Sequence, residues 1–190
     1  MEPASKNPEE SIRARIKLVV WEETRGIHFE LLWLRVLKLL FPDATPETRA
    51  EWLRSLGAEI GPETRFLTLP YLNGQRPRVL KKLSIGRNCL IEDKVVLDLQ
   101  EHIEIGDDVH LAPGAMILTS THEIGPKEHR AGALQRMPVT IESGVKIGPG
   151  ALICPGVRVG AGAIVDARAM VNKEVPAGAF VSGNPATVKR

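Results

Sequence analysis

The stretch IESGVKIGPGALICPGVRVGAGAIVDARAMVNKEV, residues 141–175, repeats every six residues. Ile141, Ile147, Ile153, Val159, Val165 and Val171 stand six apart, and four residues after each comes a second small or β-branched side chain: Val145, Ala151, Val157, Ala163, Ala169 and Val175. Gly144, Gly150, Gly156 and Gly162 fall one residue before the second set, where a tight turn with positive φ favours glycine. A helix is excluded, because a period of six does not keep one face of a 3.6-residue helix and the glycines would weaken it. Three hexads make an 18-residue unit able to close as one triangular coil of a parallel β-helix. Each apolar side chain then stacks on its equivalent in the next coil while the backbones pair between coils.

The same phase extends upstream. Ile85, Ile91 and Leu97 precede a two-residue insertion, after which Ile105, Leu111 and Ile117 resume the pattern, with partners at Cys89, Val95, Val109, Ala115 and Thr121. The hexads stop at His122, and a loop of 16 residues, 123–138, leaves the coil before Ile141 restarts it.

Composition changes near Gly57. Five of the eight aromatic residues (Trp21, Phe29, Trp33, Phe41 and Trp52) lie before it, which fits a β-helix interior too narrow for rings. The signals there are helical. Asn7, Pro8 and Glu10 can cap and open a helix carrying Ile12, Ile16, Val19 and Val20, with Gly26 ending it. A second helix runs from about His28 to Pro42 and is apolar nearly all round; a third has Thr45 as cap, Pro46 at its first position and Gly57 just past its end. The expected division is a helical region over 1–57 and a hexapeptide-repeat domain over 58–190. Residues 28–41 are read as packing on the solenoid or a neighbouring subunit, with peripheral membrane contact as the alternative.

The chain of 190 residues, 43% hydrophobic with a formal charge of +2, is outside the disordered class and suits one domain with an appendage. Its start, MEPASKNPEE, has neither the basic nor the apolar region of a signal peptide, so a cytoplasmic protein is expected. Cys89 and Cys154 make no metal-type spacing, and no basic stripe with interleaved aromatics suggests nucleic acid.

The repeat, together with IGDDVHLAPGAMILTSTH (105–122), THEIG (121–125) and the C-terminal VSGNPATVKR (181–190), resembles the hexapeptide-repeat acyltransferases. It is most similar to the galactoside, maltose and surface-polysaccharide O-acetyltransferases. The resemblance implies a left-handed parallel β-helix, a homotrimer with active sites between subunits, acetyl-CoA as co-substrate, no metal, and direct acetyl transfer to a hydroxyl of a sugar or polysaccharide-precursor acceptor. Hydroxyl attack on a thioester needs a base, and imidazole suits neutral pH. The family's catalytic His stands 17 residues after the Ile of its IGD hexad, as His122 stands after Ile105. The same comparison sets Glu92 where relatives often have an Asn that touches the acceptor, so that its carboxylate could bind acceptor hydroxyls or orient His122. His129 and Arg130, which no family motif supports, are candidates for substrate binding because they lie on the 123–138 loop, where they could touch substrate or CoA. Lys146, Gly148, Ala167, Asn172, Lys173 and Arg190 fall at CoA positions.

Three departures bear on those positions. Lys146 stands where relatives often have Trp; Pro149, lacking an N–H, follows Gly148; and Asp166–Ala167–Arg168 replaces a common Gly-Ala-Gly. A noncatalytic scaffold on the same fold is one alternative reading. A zinc carbonic anhydrase is another, although His102, His122 and His129 do not keep that family's spacing.

Overall fold

The computed structural model describes residues 29–74 and 78–189. The expected first helix, His28 and Arg190 lie outside the described residues. Helix α1 spans Phe29–Leu40 and α2 spans Pro46–Ser55. Thr45 caps α2 as its sequence predicts: its side-chain oxygen accepts from the Thr48 N–H at 3.2 Å, and Gly57 turns the chain away at φ +106°.

The chain then winds in coils of three short strands. The first coil is β1 (Glu59–Ile60), β2 (Arg65–Phe66) and β3 (Tyr71–Asn73); the second is β4 (Leu83–Ile85), β5 (Leu90–Ile91) and β6 (Val96–Asp98); the third is β7 (Ile103–Ile105), β8 (His110–Leu111) and β9 (Met116–Ile117). An excursion follows, β10 (Ser120–Ile124) and β11 (Ala131–Arg136), before a fourth coil of β12 (Val139–Ile141), β13 (Lys146–Ile147) and β14 (Leu152–Ile153). A fifth, β15 (Arg158–Val159), β16 (Ile164–Val165) and β17 (Met170–Val171), leads to β18 (Phe180–Ser182) and β19 (Thr187–Val188).

Equivalent strands pair in parallel and build three faces. The first face has the order β1-β4-β7-β12-β15, the second β18-β16-β13-β8-β5-β2 and the third β17-β14-β9-β6-β3. Register follows the hexads: Ile85, Ile105, Ile141 and Val159 align on one face, Ile91, Leu111, Ile147 and Val165 on the next, and Leu97, Ile117, Ile153 and Val171 on the third. All of them are buried, as are their small partners from Cys89 to Val175, Thr121 excepted. The corner glycines 144, 150, 156 and 162 have φ of +73°, +64°, +79° and +67°.

Two expectations are corrected here. Thr121 is exposed, because the chain has already left the coil to pair with Gln135. Residues 123–138 are not a loop; most of them belong to the antiparallel β10–β11 hairpin, which begins at Ser120. The two-residue insertion lies at the corner after β6, where Leu99 turns inward and Asp98 and Gln100 are buried with it.

The solenoid needs a lid, because its first coil exposes an open edge of carbonyls and core. Helix α2 supplies it. Ala50 and Leu53 are buried against the core around Phe66, the one aromatic ring among the described residues that is fully buried, at the end where coil meets helix. Arg49 donates to the carbonyls of Phe66 and Leu67 at 3.2 and 2.6 Å, and Arg54 to those of Ile60 and Gly61 at 2.8 and 2.7 Å. At the other end β19 folds back antiparallel on β18. Leu34 of α1 is buried, whereas Leu32, Trp33, Leu39, Leu40 and Phe41 are exposed. No helix among the described residues is long and apolar enough to cross a membrane.

Candidate active site

The β10–β11 hairpin stands outside the solenoid, and its neck is built before its tip. The Met137 N–H donates to the Thr119 carbonyl at 2.8 Å, closing the point where the chain leaves and re-enters the third and fourth coils. From there Ser120, Thr121 and His122 pair with Arg136, Gln135 and Leu134; the register then slips between His122 and Ile124, so that Ile124 meets Ala131. A bulge of this kind re-aims the local backbone.

His122 sits at that slip, exposed on the hairpin, with its Nδ1 2.9 Å from the carbonyl oxygen of Gly132. A carbonyl only accepts, so this bond requires the proton on Nδ1 and leaves the Nε2 lone pair free to accept one. Gly132 permits the close approach of the two strands here: a Cβ on it would lie 2.8 Å from the Glu123 carbonyl oxygen.

Other positions singled out in the sequence are distributed over the solenoid. His129 and Arg130 are on the hairpin tip, where the Arg130 guanidinium donates to the Gly125 carbonyl at 3.3 Å and the His129 N–H to that of Pro126 at 3.0 Å. Glu92, just after β5, is half-buried. Its Oε1 lies 2.5 Å from Nε2 of His110 on the coil above, so its partner is His110, not His122. Lys146 is exposed and stands next to His110 in the ladder of the second face. Gly148 and Ala167 share one corner: a Cβ on Gly148 would lie 2.7 Å from the Ala167 nitrogen. Asn172 and Lys173 are exposed at a different corner, directly after β17.

The corner beside Gly148 has little to offer a developing oxyanion. Pro149 has no N–H, and the amides of Gly148 and Gly150 already donate to Val165 and Pro113 at 2.8 and 3.0 Å. Among the described residues no three His, Cys, Asp or Glu side chains gather as a metal-ligand set. Burial pushes the thiols of Cys89 and Cys154 up, which suits packing rather than nucleophilic chemistry.

Two features escaped the sequence. His110 gave no sign of its partner: Glu92 stands 18 residues before it, but the two-residue insertion makes this coil 20 residues long, so the hexad register sets Leu90, not Glu92, beside His110. Asp98 and Thr119, both buried polar residues at the hairpin neck, were hidden by the two-residue insertion that breaks the repeat.

Comparison with known proteins agrees with the coils. The family model described as "Bacterial transferase hexapeptide (six repeats)" matches residues 138–173. The galactoside O-acetyltransferase of Lactococcus lactis is 30% identical over 145 residues, covering 76% of this chain and 68% of that protein. Nodulation protein L of Rhizobium meliloti is 39% identical over 108 residues, 56% of this chain and 58% of its own length. Among solved structures, a hexapeptide-repeat-containing acetyltransferase from Vibrio cholerae superposes with a TM-score of 0.73 at 26% identity, covering 88% of this chain and 90% of that one. The same enzyme complexed with acetyl coenzyme A gives 0.70 at 28% identity, covering 83% and 84%. With the repeat, the stacked coils and a relative matched along two thirds of its length, the chain belongs to the hexapeptide-repeat acyltransferases, and its solenoid is their left-handed β-helix.

Proposed function

We propose that this chain transfers an acetyl group from acetyl-CoA directly to a hydroxyl of a sugar or polysaccharide-precursor acceptor, with His122 as general base. The observation that carries the reading is the Nδ1–H bond from His122 to the Gly132 carbonyl, 2.9 Å long, which holds the ring in the tautomer whose Nε2 can take a proton. In the reaction Nε2 removes the acceptor's hydroxyl proton as its oxygen attacks the thioester carbonyl carbon. The tetrahedral oxyanion collapses, the C–S bond breaks, and the proton passes to the departing CoA sulfur. The acetyl-CoA complex of the Vibrio cholerae enzyme and the name of the Lactococcus lactis relative support the donor and the sugar class.

CoA would lie against Lys146, Gly148, Ala167, Asn172 and Lys173, with Arg190 outside the described residues. Lys146 and Lys173 are exposed cations that can meet phosphate or carbonyl oxygens. Glu92, His129 and Arg130 are assigned to the acceptor side. We also infer a homotrimer with sites between subunits. Its support is the outward row of the third face, where Tyr71, Val96, Met116, Leu152 and Met170 stand in register without a charge among them. A cytoplasmic setting completes the reading.

The test is CoA-thiol release with acetyl-CoA and a panel of sugars. His122→Ala is expected to lower turnover by about 100-fold or more, the usual weight of a general base. Full activity in that variant, or no thiol release by the wild type with any sugar, would reject the assignment.

A further inference from the structure

We propose that Asp98 is the positioning residue that aims His122: it locks the neck of the hairpin so that the His122 ring reaches the Gly132 carbonyl. The proposal rests on the reading of His122 as base, and nothing in the hexapeptide repeat itself calls for a carboxylate at this point.

Asp98 ends β6, on the coil beneath the excursion, and is 4% exposed. One carboxylate oxygen, Oδ2, accepts from the Thr119 N–H at 3.2 Å and from the Ser120 hydroxyl at 2.7 Å; the other, Oδ1, accepts from the Asn73 amide at 3.4 Å. The Thr119 hydroxyl donates to the Asp98 carbonyl, and Thr119 Oγ1 in turn accepts from the Glu101 N–H at 2.9 Å. Thr119 is fully buried. A buried carboxylate is costly for stability unless its oxygens are well satisfied, and an apolar residue would serve a plain corner at lower cost. Here two of the three donor residues, Thr119 and Ser120, are those where the chain steps out of the solenoid, and Asn73 of the first coil is the third. In the regular coils the amide of Leu118 pairs with the Ile153 carbonyl above. The Thr119 N–H, next along the chain, points to the coil beneath instead, where the Asp98 side chain rather than a backbone carbonyl accepts it.

The link to His122 is geometric. Ser120 and His122 are two apart on β10, so they lie on the same side of the strand. The ladder is regular from Ser120 to His122 and slips immediately after. Gly132, the acceptor for Nδ1, lies beyond that slip on the opposite strand. Whether His122 meets it therefore depends on how the strand is fixed at its root, and Asp98 holds that root from below. Reacting groups displaced by an ångström can lose about 100-fold in rate.

The experiment compares Asp98→Ala, Asp98→Asn and Ser120→Ala with wild type in the full chain, reading kcat and KM for acetyl-CoA, thermal stability, and the His122 ring nitrogens by long-range 1H–15N correlation. Wild type is expected to carry its imidazole proton on Nδ1. Asp98→Ala should lower kcat by about tenfold or more with a smaller change in KM, and mix the two tautomers. Asn, which keeps an acceptor but not the charge, should restore part of both, and Ser120→Ala should fall between. If Asp98→Ala does not fold, the Asn and Ser120 variants carry the same comparison. A folded Asp98 variant with the Nδ1–H tautomer intact and kcat within twofold of wild type overturns the proposal. Tautomer mixing in Asp98→Ala combined with full activity in His122→Ala would instead leave the positioning role standing and remove the catalytic reading.

Discussion

At the scale of the residue, the repeat asks for glycine for two different reasons, and they separate experimentally. Gly162 has φ +67° and nothing within 4 Å of where its Cβ would be, so an alanine there meets only the backbone cost of the left-handed region, about 1–2 kcal/mol. Gly148 has no positive φ; it is glycine because the corner of the next coil lies against it, with the Ala167 nitrogen and the Val165 carbonyl oxygen 2.7 and 2.8 Å from where a Cβ would stand. Gly148→Ala drives a methyl into backbone and is expected to cost more than Gly162→Ala, by the 1–3 kcal/mol typical of overpacking or beyond. Paired thermal melts should therefore place Gly148→Ala several degrees lower, at about 2–4 °C per kcal/mol for a chain this long; equal melting temperatures would mean that the coils slide apart freely at this corner. Not every corner in this conformation is glycine, since Asn88, Lys94, Asp108 and Arg168 also have positive φ. The Asn88 amide donates to the Asp108 carboxylate one coil above at 2.7 Å, which shows how a polar side chain can serve the same corner.

At the scale of the element, periodicity made the coils legible because each inward side chain repeats the same environment. The excursion was not legible as a hairpin for the same reason reversed. Neither of its strands buries a side chain fully, so TSTHEIG and AGALQRM carry no apolar–polar alternation to read, and pairing comes from the neck held by Thr119 and Met137. Helix α2 was legible as a helix from Thr45 and Pro46, but its role as a lid was not, because the carbonyls it serves belong to the first coil. That role predicts unequal sensitivities along its length. Leu53→Ala opens a cavity over the core and should cost about 2–5 kcal/mol. Arg54→Met keeps the stem and leaves the Ile60 and Gly61 carbonyls without their guanidinium donor, a loss of about 1–3 kcal/mol. The exposed Glu47→Ala should change little. Urea midpoints rank the three, and a neutral Leu53→Ala would show that α2 does not seal the solenoid.

At the scale of the whole molecule, the three outward faces differ in a way that the inward ladders, nearly identical on all sides, do not. Along the first face the outward row is Glu59, Ser84, Glu104, Thr140 and Arg158, a surface suited to water. Near its end Glu142 pairs with Arg158 and accepts the Ala161 N–H at 2.7 Å; these partners hold its carboxyl below the usual range. Along the third face the row is Tyr71, Val96, Met116, Leu152 and Met170, and Tyr71 remains 65% exposed. Such an apolar row calls for cover, and since the subunit resemblance rather than the periodicity suggested a trimer, this is the part of the molecule the sequence left to comparison. If three copies meet on that face, charges placed in its centre oppose association while leaving the interior untouched, because Met116 and Leu152 point away from the core ladder of Ile117 and Ile153. Met116→Glu and Leu152→Glu are therefore expected to keep the β-sheet circular dichroism of the wild type yet sediment as single chains. Acetyl transfer should fall with the trimer, since a groove shared between subunits loses one wall while His122 itself is unchanged. Wild-type protein sedimenting as one chain, or double-charged variants that remain three, would place the subunit contact elsewhere and detach the third face from catalysis.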